Sequence, residues 1–413
     1  MNPQILFLII IAVIVLDFLI DKWIDHLNAL HFEDEVPEPL KDVYDEKEYR
    51  RSQAYKKDNY RFSLITSTFS FLLTLGFFLF KGFAWVDDIA REWGGNEVTV
   101  ALIFFGIIML GSDLLNTPFA YYRTFVIEEK YGFNKTTKKI FFTDKLKGWL
   151  LSIIVGGAVL AVILWIYHRT GSLFWVYTWV FVGVFTVFMT LFYSTLIVPM
   201  FNKQTPLEDG PLKSAINDFA QQVGFSLSNI YVIDGSKRST KANAYFSGFG
   251  ARKRIVLYDT LIEELNPKEI VAVLAHEIGH YKKKHVLANM LLSLAITGLT
   301  LFVFSLFIDN RALSEALSVD VPSFHIGLIT FGILYSPISE LTGILMNYIS
   351  RQFEYQADDF ARDTYGAEPL VSSLKKLSRS SLSNLTPHKL NVFIHYSHPT
   401  LYQRILNLRS GKN

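Results

Sequence analysis

Cysteine is absent from all 413 residues. That excludes disulfides, thiolate metal sites and a cysteine nucleophile together. Charge is scarce as well: Asp, Glu, Lys and Arg make up 19% of the chain, against about 25% in an ordinary soluble domain. Neither sign dominates, since 40 Lys and Arg stand against 38 Asp and Glu for a net +2. A nucleic-acid binder needs a basic excess to offset phosphate, and this chain has none. Internal repeats, low-complexity tracts and flexible linkers are also missing. What fills the chain is apolar. Half the residues are hydrophobic and 15% aromatic, with 35 Phe and 20 Tyr, which suits lipid-facing and interfacial positions.

A helix needs about 20 apolar residues to cross a bilayer. Seven runs meet or approach that length: 4–20, 62–80, 98–117, 149–167, 172–199, 286–308 and 325–348. The first lacks a basic lead-in and a small-residue cleavage site, and Asp17 and Asp21 close it. It reads as a retained anchor, not a signal sequence. The last contains Pro337 and Glu340, so it is expected to kink or to face a cavity. Asp113, in the third run, is expected near an interface. Neither acid is assigned to catalysis.

Lys and Arg alternate across these runs: eight in 21–61, two in 81–97, seven in 118–148, one each in 168–171 and 309–324, and none before the first. Positive residues favour the cytosolic side. The N-terminus is therefore expected opposite the cytosol, and the C-terminus with segments 200–285 and 349–413 inside it. The densely charged segment 33–61 is expected to be a solvated cytosolic helical region.

Seven of the ten histidines fall between 276 and 398, and two of them form His276-Glu277-Ile278-Gly279-His280. On a helix, positions i and i+4 share a face. Both imidazoles can then reach one Zn2+, with Glu277 beside it as a base. The helix is well signalled: Asn266 is a cap, Pro267 suits the first turn, and Glu269 completes a capping-box spacing. Val271, Leu274, Ala275 and Ile278 supply its buried stripe.

A catalytic zinc needs a third protein ligand and an open position. The metzincin continuation fails, because Lys283 and Val286 stand where Gly and His are required. His285, five residues past His280, lies at a poor angle and is expected to be interfacial. A carboxylate after the seventh run is the better candidate. Glu354 and Asp358 are four apart on one helix face; Glu354 suits the metal, and Asp358 suits a hydrogen bond from a ligand histidine.

The chain now resembles a known family, the type I CAAX prenyl proteases, and the resemblance covers nearly its whole length. It rests on Phe125-Val126-Ile127-Glu128-Glu129-Lys130-Tyr131-Gly132-Phe133-Asn134-Lys135, on Phe201-Asn202-Lys203 with 205–210, and on Asn243-Ala244-Tyr245-Phe246-Ser247-Gly248-Phe249 followed by 253–261. Phe353-Glu354-Tyr355-Gln356-Ala357-Asp358 and Ser397-His398-Pro399 complete it.

The resemblance implies His276, His280 and Glu354 as ligands of one Zn2+, Glu277 as the base and Asp358 as a supporting carboxylate. It places Asn243 and His398 toward the substrate, and Arg404 behind the site. His398 is the choice for the oxyanion, with His388 and His395 as rivals in the same segment. Ala244, Tyr245 and Phe246 are expected to form a strand edge that holds a peptide by strand addition.

The implied fold class is mostly α: seven transmembrane helices enclosing a chamber, with a cytosolic metalloprotease domain and a small β-sheet. Residues 1–199 would hold spans one to five, 200–285 the first protease segment, 286–348 spans six and seven, and 349–413 the segment with the third ligand. The implied reaction removes the C-terminal tripeptide from a prenylated CaaX protein or peptide. Membrane lipids are the other expected partners; nucleic acid is not one. No ER retrieval signal is seen, so a bacterial inner membrane is expected, or the ER membrane in a eukaryote. Two alternatives stand beside this: a membrane quality-control metalloprotease of broader specificity, and a non-catalytic chamber or transport module with a structural zinc.

Overall fold

The structure, a computed structural model, describes residues 2–225, 227, 229–247 and 254–410. Helices α1 (Pro3–Leu30), α2 (Glu46–Leu79), α3 (Gly82–Trp93), α4 (Glu97–Tyr122), α5 (Lys138–Leu151), α6 (Gly157–Thr170), α7 (Phe174–Leu196) and the single turn α8 (Val198–Phe201) come first. They are followed by α9 (Pro211–Gln222), α10 (Asp259–Glu264), α11 (Pro267–Lys282), α12 (His285–Ser305) and α13 (Arg311–Ala316). The chain ends with α14 (Phe324–Tyr365), α15 (Ala367–Ser380), α16 (Lys389–His395) and α17 (Leu401–Arg409). Strands β1 (Gln204–Pro206), β2 (Asn229–Ile233), β3 (Ala244–Ser247) and β4 (Arg254–Tyr258) make the one sheet among the described residues.

Six helical runs are long and apolar enough to cross a bilayer. One of them, Lys138–Phe201, is 64 residues long, about three times the roughly 20 residues one crossing needs. It doubles back at Gly171, whose φ of 54° is open to a residue without Cβ. There α6 packs on α7 and Tyr167 meets Phe174 edge-on, ring centroids 5.5 Å apart. The six runs therefore accommodate the seven expected crossings.

The spanning windows bury only 6–17% of their residues. A tightly packed bundle buries a broad apolar stripe on every helix. The spanning helices are packed more loosely than that, leaving most of their residues open to lipid or solvent. Polar contacts pin them. Asp113 on α4 accepts from Lys145 Nζ at 2.8 and 2.9 Å and from Trp149 Nε1 at 2.8 Å. Buried Asp87 on α3 joins His325 of α14 at 2.6 Å and Arg91 at 2.8 Å. Ser336 donates to Asp17 of α1 at 2.9 Å.

The 42 residues of α14 extend about 63 Å at 1.5 Å per residue, twice the roughly 30 Å hydrocarbon layer. The helix runs on through Pro337, and Glu340 is exposed. Its second half leaves the membrane and carries Glu354 and Asp358 into the polar domain.

That domain has α11 at its centre. Nine of the sixteen α11 residues are buried, and Ile270, Val271, Leu274 and Ile278 belong to one core with Ile255 and Leu257 of β4. The sheet order is β1-β2-β4-β3, with β2 and β4 parallel and β3 antiparallel to β4 at the open edge. Segment 33–61 differs from expectation. It is not simply solvated: Leu40, Val43 and Tyr44 are buried in this same core, and Lys56 is buried beside them. The flanking charges mask a short amphipathic lead-in to α2.

Candidate metal centre and active site

The metal-binding geometry starts with the start of α11. The Asn266 side chain accepts the Glu269 N–H at 3.1 Å, and Glu269 accepts the Asn266 N–H at 2.9 Å. This reciprocal cap fixes the first turn. Ser372 and Lys376 of α15 donate to the same Glu269 carboxylate at 2.7 and 2.9 Å, so the helix is anchored before its histidines begin.

At the other end, Gly279 lets α14 come close. A Cβ there would lie 3.0 Å from the Ala357 Cα and 3.1 Å from its carbonyl oxygen. Such backbone atoms do not yield as a flexible side chain does. The close crossing brings Glu354 onto the histidine face. His280 Nε2 is 3.1 Å from His276 Nε2, and the Glu354 oxygens lie 3.4 Å from His276 Nε2 and 3.2 Å from His280 Nε2. One ligand atom from each of the three lies within 4.8 Å of the others. Glu354 Oε2 is buried without a hydrogen-bond partner, with only His276 Nε2 at 3.4 Å and Arg404 Nη1 at 3.6 Å as charged neighbours, and a cation would complete it. Two imidazoles, one carboxylate and an orphaned oxygen fit a metal ion.

Behind this face lies a second layer. His276 Nδ1 donates to Asp358 at 2.8 Å. Asp358, 0% exposed, in turn receives Arg404 through two bonds of 2.9 and 2.6 Å. Arg404 also reaches Glu354 at 3.6 Å. Burial works against the Arg404 charge, but the neighbouring carboxylates outweigh it and hold the proton more firmly than usual. Burial and Arg404 also push His276 down, yet its bonds to Asp358 and Glu354 prevail and raise it to about 9. A cation bound at the site would compete with the His276 proton.

A cavity of about 910 Å³ opens beside these residues, lined by Glu277, His280, Asn243, Tyr245 and Phe246 among others. The Glu277 carboxylate is half-buried and makes no hydrogen bond or ion pair with any described residue. Asn243 is exposed just before the open edge of β3, and its Oδ1 accepts the Ala244 N–H at 2.8 Å. Ala244 itself packs on the domain core. His398 is exposed and reaches Glu354 at 3.3 Å, with its Nδ1 2.9 Å from the Ser397 hydroxyl. Of its rivals, His388 caps α16 and packs edge-on against His31, the residue that caps the end of α1; His395 is the last residue of α16. Gly248, Phe249 and Lys253, parts of the motif run, lie outside the described residues.

One expectation is corrected. His285 is not interfacial; it is 3% exposed and meets His280 Nδ1 with its own Nδ1 at 2.9 Å. On an uninterrupted helix, five residues place two side chains about 140° apart. Here Lys284 adopts φ 60°, ending α11 and starting α12 so that His285 folds back onto the motif. Three consecutive lysines, 282–284, were the available signal, since cations gather at helix C-termini.

Two family models cover the chain. The one described as CAAX prenyl protease N-terminal, five membrane helices, matches residues 26–203, and peptidase family M48 matches 206–412. The CAAX prenyl protease 1 homolog of Dictyostelium discoideum is 37% identical over 382 residues, covering 90% of this chain and 89% of that protein. CAAX prenyl protease 1 of Saccharomyces cerevisiae is 35% identical over 402 residues, with 91% and 89% covered. The crystal structure of S. mikatae Ste24p superposes with a TM-score of 0.93 at 33% identity, covering 98% of this chain and 99% of that one. With both halves matched, in sequence and in fold, the chain belongs to the CAAX prenyl protease family and is a multi-pass membrane metalloendopeptidase of family M48.

Proposed function

We propose that His276, His280 and Glu354 hold one zinc ion, and that the enzyme removes the C-terminal tripeptide from prenylated CaaX substrates. The observation that carries this reading is the convergence of three donor atoms beside an unpaired Glu277 in one cavity. Imidazole and carboxylate donors suit zinc, and three protein ligands characterise its catalytic rather than its structural sites. Zinc in that position supplies Lewis acidity toward the scissile carbonyl and the attacking water.

The protein's own groups do the rest. Glu277, which makes no hydrogen bond or ion pair with a described residue, takes the proton from the attacking water and passes it to the leaving amine. His398, beside Glu354, donates to the oxyanion as it develops. Asp358 and Arg404 keep the His276 ring turned to the metal. The substrate strand adds to the edge of β3, with Asn243 holding its backbone and Tyr245 and Phe246 bordering the cavity. Met189, Val198, Phe201 and Val286 also line that cavity, an apolar surface suited to the aliphatic residues of a CaaX end.

The proposed division at 199/200 falls within the turn α8, the break at 285/286 lies one residue into α12, and the return to the polar domain near 349 lies inside the continuous α14. By the same positive-residue count, the protease segments and C-terminus face the cytosol. The short connection between α12 and α14 agrees with a compact form in a bacterial inner membrane. The direct test is incubation of a farnesylated CaaX peptide with zinc-loaded protein, read by mass spectrometry. Loss of the last three residues, abolished by a chelator, is expected. An intact peptide with zinc bound would overturn the substrate assignment and favour broader quality-control proteolysis.

A further inference from the structure

The structure assigns His285 as the residue that sets the tautomer and orientation of His280, through a directed hydrogen-bond chain ending at Gln356. The inference rests on the metal-ligand reading proposed above and extends it to a group outside the motif.

The geometry allows one arrangement of protons. His280 turns Nε2 toward His276 and Glu354, so that nitrogen must carry a lone pair to bind a metal. Its other nitrogen, Nδ1, then carries the hydrogen. At 2.9 Å lies His285 Nδ1, which must accept, leaving the His285 hydrogen on Nε2. That nitrogen is 3.1 Å from Gln356 Oε1, and an amide oxygen accepts only. Each donor in the chain meets one acceptor, and His285 is a neutral imidazole.

Packing holds the chain in place. The His285 ring is buried and stacks on Phe353, centroids 4.2 Å apart and planes within 9°. Gln356 and Phe353 flank Glu354 on α14, so the helix that supplies the third ligand also fixes the ring behind the second. The left-handed Lys284 that delivers His285 is a strained conformation for a side-chain-bearing residue. Backbone strain of this kind persists only where the surroundings over-determine it.

The two ligand histidines are therefore backed differently. His276 is held by a carboxylate that is itself clamped by arginine; His280 is held by a neutral ring. His285 acts as a positioning residue. It is no ligand itself and acts through His280.

The test is zinc affinity by chelator competition on the full-length protein in detergent, with the absorption spectrum of the cobalt-substituted form as a second readout. His285→Phe keeps the stack on Phe353 and removes both hydrogen bonds. It is expected to weaken zinc binding 10- to 100-fold, the usual cost of losing a partner behind a ligand, and to alter the cobalt spectrum. His285→Gln, which returns an amide oxygen, is expected to recover most of the affinity. Gln356→Leu, one step further out, should give a smaller loss in the same direction and serves if His285→Phe does not fold. Unchanged affinity and spectrum in His285→Phe, or in Gln356→Leu when it alone folds, would overturn the inference. So would a Gln variant as poor as the Phe one. Wild-type protein that binds no zinc would instead overturn the ligand assignment beneath it, so the two failures are distinguishable.

Discussion

The polar domain and the membrane region solve opposite problems with the same kind of helix. Nine of sixteen α11 residues are buried, whereas spanning windows bury no more than 17%. Lipid gives helices little hydrophobic reason to associate, so the membrane helices meet through limited apolar clusters, such as that around Phe104 and that around Phe174 and Phe304, and a few polar pins such as Asp113 with Lys145 and Trp149. The metal-ligand face is fixed by dense packing and by charges out of water. The difference teaches where precision resides: at the crossing of α11 and α14, where a ligand set must hold within fractions of an ångström. The membrane helices carry no such constraint.

The largest effect that would sharpen this contrast is expected from Arg404→Ala. It leaves Asp358 and Glu354 buried without their cation, a change that typically costs about 3–5 kcal/mol. Hydrogen exchange across α11 and α17 should accelerate accordingly, and an unchanged profile would show that the second layer is not structural. Next comes a matched pair. Leu274→Ala, at 1% exposure, should cost about 2–5 kcal/mol. Leu345→Ala, at 56% exposure in the spanning half of α14, should stay within about 0.5 kcal/mol. Similar losses in denaturant unfolding would break the comparison.

A smaller effect is expected from Gly279→Ala. The added methyl meets the α14 backbone and should cost about 1–3 kcal/mol through overpacking. Because it pushes Glu354 away from the histidines, it should weaken zinc binding as well; stability loss without that weakening would separate the crossing from the ligand geometry.

The smallest expected effect is the pH dependence. The folded, metal-free His276 titrates near 9, above its ordinary 6.5. The stability it gives the metal-free fold is full below 6.5 and is lost as pH rises through 9. Zinc must displace that proton. Apparent affinity should therefore rise about tenfold per unit from pH 7 to 9 and then level off, with close to one proton released at pH 7. Calorimetry in buffers of different ionisation enthalpy checks both.

Much of this was legible from local pattern. The capping residues of α11, the i, i+4 histidine pair and the apolar runs are all short-range features. Glu354 was legible as a helical carboxylate after the last apolar run, and the family resemblance strengthened it. The lysine run 282–284 marks where α11 ends, but the fold-back of His285 was not legible, because it depends on the left-handed turn at Lys284 and lysine carries no preference for one. The burial of Leu40, Val43 and Tyr44 was hidden for a similar reason: the partner surface that covers them comes from the distant protease core. The polar pins of the membrane region, such as Asp87 with His325, join residues far apart in sequence and follow no local spacing.

The central claim is an open metal site with Glu277 as its base, and Glu277→Gln tests it most directly. Zinc stoichiometry and cleavage of a farnesylated CaaX peptide should be measured on the same preparation. The account predicts one zinc per chain, as in wild type, with cleavage reduced by about 10²–10⁴-fold. Cleavage retained at the wild-type rate, or zinc lost along with activity, would contradict it.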